Sequence, residues 1–261
     1  MSEQHTAYHI DLAKPTYIEN WGQKLVHLSF ATTEIPLTAG QMEELCKAAH
    51  CYQWGEGEAP DEGVLAGLAT QIGDAIRQYP KGAFVRLGSR SPKDAWAGHE
   101  EGFRCLEGDK AIALLRQSER VLDDLEMALH ANYRAHVVVR EWRDIPPGHE
   151  YRAFVKGKKI VGLSQYDYFH HYPEEHREAA AVRWAVDQFA PRLMDALHLD
   201  DCIADLWVRR RGPARSRQWE VKLIEINPWG HWTDPCLFDW RTVDGWSQAD
   251  PYEIRYPEGE L

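Results

Sequence analysis

Val221-Lys222-Leu223-Ile224-Glu225-Ile226-Asn227-Pro228-Trp229 sets two polar side chains, Glu225 and Asn227, two apart in an apolar, strand-like run. In a β-strand residues i and i+2 project to the same face. A carboxylate on a face that is otherwise buried requires a partner. For a carboxylate beside an amide oxygen, a hard cation such as Mg²⁺ is the natural one, because it takes oxygen ligands. Upstream, Cys202-Ile203-Ala204-Asp205-Leu206-Trp207-Val208 repeats the pattern with a single acid. A basic loop from Arg209 to Arg217 joins the two runs, and together they read as a hairpin. Asp205, Glu225 and Asn227 then face one cavity as a candidate metal set. The alternative is that Glu225 pairs with a core arginine and Asn227 caps a turn before Pro228.

Composition bounds the remaining readings. A chain of 261 residues with 44% hydrophobic content can fill one large domain or two joined lobes. A net charge of −11 argues against a nucleic-acid partner, which needs a basic surface. It leaves room for a small anion in a local cationic cluster. Cys46, Cys51, Cys105, Cys202 and Cys236 form no C-x-x-C pair and read as reduced thiols of a cytoplasmic protein. A zinc site from Cys46, His50 and Cys51 has poor spacing. No signal peptide is expected, and no apolar run approaches the roughly 20 residues that span a bilayer.

Thr38-x-x-Gln41 is a capping-box pattern before a helix through about Ala49. Val64, Leu65, Leu68, Ile72 and Ile76 recur at helical spacing, as do Ala111 to Leu129 with an interruption and Ala179 to Leu197. Ala83 to Leu87 and His136 to Trp142 read as strands. Tyr151 to Val155 and Ile160 to Leu163 form a hairpin around Lys156-Gly157-Lys158. Helices mixed with antiparallel hairpins indicate the α+β class.

Cations gather in two stretches. Arg86-Leu87-Gly88-Ser89-Arg90-Ser91-Pro92-Lys93-Asp94-Ala95 is a strand end running into a small-residue loop, suited to phosphate oxygens. Ser91 and Pro92 can also start a helix there as N-cap and first residue. Arg140-Glu141-Trp142 and Glu150-Tyr151-Arg152 put charges in or beside strands. Arg140 and Arg152 either pair with Glu141 and Glu150 or clamp phosphates, with Trp142 near an adenine ring. Ser164-Gln165 ends the next strand and is read into the same cleft. His170-His171, among aromatic residues, reads as a surface or lid, and Arg209, Arg210, Arg211, Arg215 and Arg217 as a solvated hairpin tip.

Several blocks in order resemble the cell division cycle protein 123 family, a divergent branch of the ATP-grasp superfamily. Ser91-Pro92-Lys93-Asp94-Ala95 matches its S-P-K-D-A, and Arg140-Glu141-Trp142 its R-[EK]-W. Glu150 to Val155 is similar to E-F-R-x-F-V, and Gly162 to Tyr168 to G-I-S-Q-R-D-Y. Leu223 to Trp229 resembles L-I-D-F-N-P-[FW], with Glu225 in place of the usual Asp. Thr233-Asp234 and Leu237-Phe238-Asp239-Trp240 match T-D and L-F-x-W. The family's L-N-W-S-S-P reads Leu87-Gly88-Ser89-Arg90-Ser91-Pro92 here.

The resemblance implies an ATP-grasp fold of two lobes, with antiparallel sheets flanked by helices and a nucleotide cleft between them. One lobe would take residues 1–136, and the other residues 137–261 with the metal-binding strands. Asp205, Glu225 and Asn227 carry over as Mg²⁺ ligands. Arg86 stands where the family has a phosphate-binding lysine. ATP would be held by Arg86, Ser91, Lys93, Arg140, Glu141, Trp142, Arg152 and Gln165 together with the metal set. Ligase chemistry through an acyl phosphate on a peptide or small carboxylate would fall to Arg152, Asp205, Glu225 and Asn227. The alternative is a non-catalytic ATP-binding chaperone for a protein complex, the eukaryotic family role being translation initiation factor assembly. Both readings call for ATP and a protein or peptide partner, and neither calls for a membrane.

Overall fold

Two antiparallel-rich sheets organise the chain, which bears out the α+β class. The computed structural model describes residues 10–55, 57–212, 218–246 and 252–258, so Arg215 and Arg217 lie outside the described residues. The chain divides into two units, Met1–Asn20 with Ala31–Arg143, and Trp21–Phe30 with Asp144–Leu261.

In the first unit four strands run in the order β1-β4-β2-β3. They are β1 (Thr32–Pro36), β2 (Ala83–Leu87), β3 (Arg104–Cys105) and β4 (His136–Glu141). Val85, Leu87, Val137 and Val139 pack with Leu45, Leu68, Ile72, Leu115 and Leu125 from the helices in one core. Phe84, Arg86, Val138 and Arg140 occupy the opposite face, since Arg86 pairs with Val138 and Phe84 with Arg140.

The capping box at Thr38 forms: Gln41 N donates to Thr38 Oγ1 at 3.1 Å and Thr38 N to Gln41 Oε1 at 2.9 Å. Its helix continues past Ala49 to Trp54 and stops at Gly55, whose φ of 66° suits a left-handed C-cap. The stretch from Ala111 to Leu129 is two helices, Gly108–Gln117 and Glu119–His130. Ser118 ends the first and caps the second, accepting from Val121 N at 3.1 Å. β4 belongs wholly to the first unit, which runs on to Arg143, and is hydrogen-bonded to both β1 and β2.

The second unit holds five strands in the order β8-β7-β5-β6-β9. They are β5 (Glu150–Lys156), β6 (Lys159–Gln165), β7 (Cys202–Arg210), β8 (Trp219–Asn227) and β9 (Glu253–Arg255). β5 and β6 join through Gly157 and Lys158, whose φ values of 56° and 60° are those of a two-residue primed turn. The helix Ala179–Ala196 packs against β6, β7 and β8. Phe154 and Ile203 carry an aromatic cluster with Phe238, Trp240 and Trp246. Gly162 permits it: a Cβ there would lie 2.5 Å from the Trp246 ring. The segment Trp21–Phe30 joins this unit, with Ser29 Oγ donating to Leu223 O at 2.6 Å.

Candidate functional site

Strand register gathers the second unit's polar side chains into a row. β5 sets Arg152 opposite Asp205 on β7, and β7 sets Asp205 opposite Glu225 on β8. Directly opposed residues share a face, so Ser164, Arg152, Asp205 and Glu225 cross the sheet in one line, with Asn227 one pleat along. The register slips between Asp205 and Leu206, which leaves Ile224 as an extra residue on β8. A bulge of this kind re-aims its neighbours, and here the neighbour is Glu225.

Asp205 is fully buried and held by a two-pronged guanidinium. Arg152 Nε donates to Oδ1 and Nη2 to Oδ2, both at 2.8 Å. Its Nη1 donates to Asp234 O at 2.6 Å, and its carbon lies 4.8 Å from the Tyr166 ring centroid. Asn227 Nδ2 donates to Asp205 Oδ2 at 3.1 Å. Burial pushes the Asp205 carboxyl up; Arg152 pulls it back, and Glu225 raises it again through charge and a hydrogen bond. Burial also works against the charged Arg152, but Asp205 outweighs it and holds the guanidinium above its ordinary range. A core arginine thus pairs with an acid of the row, Arg152 with Asp205.

The metal set is therefore brought together. Two carboxylates and an amide carbonyl are oxygen donor types that suit a hard divalent cation, and Asn227 turns its amide nitrogen to Asp205 here. Glu225 adds a second negative charge beside the buried Asp205. Among the described residues no group of three or more His, Cys, Asp or Glu side chains that could hold a metal ion forms. Cys46, His50 and Cys51 form no such site: His50 Nε2 meets Glu126 Oε1 at 2.7 Å and Cys51 Sγ donates to Glu58 O.

Gln165 does not join the row. It pairs with Tyr151, on the face away from Arg152, and its Nε2 donates to Gly148 O at 3.3 Å. Ser164 takes the place opposite Arg152, its Oγ accepting from Leu237 N at 3.2 Å. A cavity of about 280 Å³ adjoins Arg152, lined by Tyr166, Asp167, Tyr168, Phe169, Asp234 and Cys236. Tyr168 OH donates to Asp234 Oδ2 at 2.8 Å, tying the two lining loops together. Asp167 accepts from Tyr172 OH at 2.5 Å and lies 2.9 Å from His170 Nδ1, so His170 belongs to a loop brace. Burial pushes the Cys236 thiol up to about 12, which leaves it protonated and poorly nucleophilic at neutral pH. Sequence reasoning placed Ser164 in the cleft together with Gln165 but missed Asp234 and Cys236; the Thr233-Asp234 block was the available signal for Asp234.

Arg86, Ser91, Lys93, Arg140, Glu141 and Trp142 all belong to the first unit. Arg86 and Arg140 are buried on one face of its sheet. Glu141 lies on the other face and binds Arg143 Nη2 at 2.7 Å, so it does not answer Arg140 by strand geometry. Trp142 N donates to Gly82 O at 2.9 Å. The helix expected from Ser91 starts at Trp96 instead, after a turn in which Ala95 N donates to Pro92 O at 3.1 Å. Asp94 explains the delay. It accepts from Ser118 Oγ at 2.5 Å and Arg120 N at 3.2 Å, and so anchors the start of Glu119–His130.

The D123 family model matches residues 41–259. The chain belongs to the D123 family. The family resemblance read from the motif blocks is thereby borne out. This D123 member is 26% identical over 186 residues to the "Translation initiation factor eIF2 assembly protein" of Xenopus laevis, covering 67% of this chain and 53% of that one. It is 31% identical over 232 residues to "Cell division cycle protein 123" of Eremothecium gossypii, covering 78% and 60%. The chain spans about half the length of the first curated relatives it matches. Its fold is that of Cdc123 from Schizosaccharomyces pombe, with a TM-score of 0.78 at 20% identity over 98% of each chain.

Proposed function

We propose that this D123 member is an Mg-ATP-binding assembly factor, whose bound nucleotide readies it for a protein partner. The observation that carries the reading is the polar row, in which buried Asp205 is fixed by Arg152 while half-buried Glu225 and Asn227 stand beside it, Asn227 Nδ2 donating to Asp205 Oδ2. The relatives' printed names speak for assembly over ligation, and one of them specifies eIF2.

Asp205, Glu225 and Asn227 would hold the cation. When bound, Mg²⁺ would neutralise phosphate charge and orient the triphosphate. Arg152 acts through Asp205 as a positioning residue, since three of its N–H groups are already committed. Arg86, Lys93 and Arg140 would be the first unit's cations for phosphate, Arg86 and Arg140 lying buried on one face of its sheet. The row's hydroxyl, Ser164 Oγ, donates to Gln165 O and accepts from Leu237 N, and the row's chemistry is electrostatic.

Ligation through an acyl phosphate is the second reading, favoured by the cavity beside Arg152, which could take an acceptor. Calorimetry with Mg-ATP, followed by ADP release in the presence of carboxylate and amine candidates, separates the two. The assembly factor binds nucleotide without acceptor-stimulated turnover. Stimulated ADP release would establish the ligase, and absent binding would remove both.

A further inference from the structure

The row leaves the largest hollow among those described unused. Two adjoining hollows of about 510 Å³ and about 280 Å³ share Phe189, Arg192, Arg211, Trp219 and Val221. They make a groove between the helix Ala179–Ala196 and the Trp219–Lys222 end of β8, the opposite end of that strand from Glu225 and Asn227. Trp184, 53% exposed, stands at one end, and Lys222 at the other.

Charge in this groove is one-sided. Glu220 is the acid lining it, and Arg209 and Arg211 both bind it at 2.6 Å. Those arginines overcome its burial and hold its carboxyl below the ordinary range. On the helix, Asp187 accepts from Tyr252 OH at 2.9 Å and Asp195 binds Lys24 at 2.8 Å. Among the described residues Arg192 has no acid within ion-pair distance; its guanidinium lies 5.4 Å from the Phe189 ring. An uncommitted cation beside exposed indole and aliphatic surface is complementary to an acid flanked by a bulky apolar side chain.

We infer that this groove docks a short acidic peptide segment, carrying a Leu- or Phe-like anchor, of the protein partner; this rests on the assembly reading above. From Trp184 to Arg192 the helix rises about 12 Å, the reach of about four extended residues. The occupant is therefore a linear motif. Nucleic acid suits the groove less well, because a polyanion needs a track of cations and the chain as a whole carries −11.

Fluorescence anisotropy on the full chain tests this with four labelled probes. They are a peptide alternating Glu with Leu and Phe, its Lys-for-Glu counterpart, a Glu/Ser counterpart and oligodeoxythymidine. The acidic–apolar peptide should bind best. Arg192→Glu and Trp184→Ala, both at exposed positions, should each weaken it about tenfold, the scale of one lost anchor. Mg-ATP affinity, measured on the same samples, should be unchanged by either. Equal binding of the Lys peptide, tighter binding of the oligonucleotide, or no effect of Arg192→Glu overturns the docking site. Peptide binding without Mg-ATP binding would sink the nucleotide reading and leave the groove standing.

Discussion

Asp94 lies in a family-like block and Asp205 in an apolar strand run, and the two stand in opposite surroundings. Asp94 is exposed, and both its oxygens are spent on starting a helix of its own unit. Asp205 has no solvent exposure, and its oxygens meet a guanidinium, an amide and a second acid. The first acid is architectural. The second creates an electrostatic problem that a ligand can resolve. A motif in sequence does not separate these roles; burial and the charge around the group do.

The comparison is tested hardest at Asp205. Asp205→Ala would leave Arg152 buried without its counter-charge, and should lower unfolding free energy in urea by about 3–5 kcal/mol. An apolar double replacement of Arg152 and Asp205 should recover most of that loss. A single-mutant cost near that of a surface site would place Asp205 with Asp94.

Glu225→Ala comes next. It should weaken Mg-ATP by roughly 2–3 kcal/mol, the scale of a lost charged group, with little change in stability. Unaltered calorimetric affinity would take Glu225 out of the cation's reach. The same row predicts a pH dependence. Because the Asp205 carboxyl is raised, a proton competes with the cation there from a higher pH than at an ordinary aspartate. Mg-ATP affinity should therefore begin to fall, as pH is lowered, above the usual aspartate range near 3.9. A flat profile would show Asp205 ionised throughout.

Asp94→Ala should cost about 1 kcal/mol of stability, as for a lost helix cap, and leave Mg-ATP affinity alone. Smallest of all, joint replacement of His170 and His171 should shift Mg-ATP binding by less than about 0.5 kcal/mol, as expected away from the ligand. A large loss would move the loop brace into the site.

Much of this was legible in residue order. The capping box at Thr38, the β-branched run of β4 and the Lys156-Gly157-Lys158 turn each carry their own local cause. The acid and amide of β8 were legible because they interrupt an apolar strand. What residue order hid was register. Counting back from the pair Lys156 and Lys159, an unbroken hairpin would set Leu163 opposite Arg152 and turn Gln165 to the Arg152 face. The slip between Phe154 and Val155 sets Ser164 there instead. One extra residue flips every side chain beyond it, and the all-apolar Ile160 to Leu163 gives no alternation to reveal the slip. Asp94 was hidden for another reason: its partners lie 24 and 26 residues downstream.

Arg152 also bears on how the molecule is made. A site that gathers acids around an ion is often unfinished until the ion arrives, so that folding waits on metal supply. Here a permanent internal counter-ion stands in the same sheet, delivered by the chain itself. The newly made polypeptide can therefore complete this sheet unaided, and adding a chelator in the test tube should not melt it.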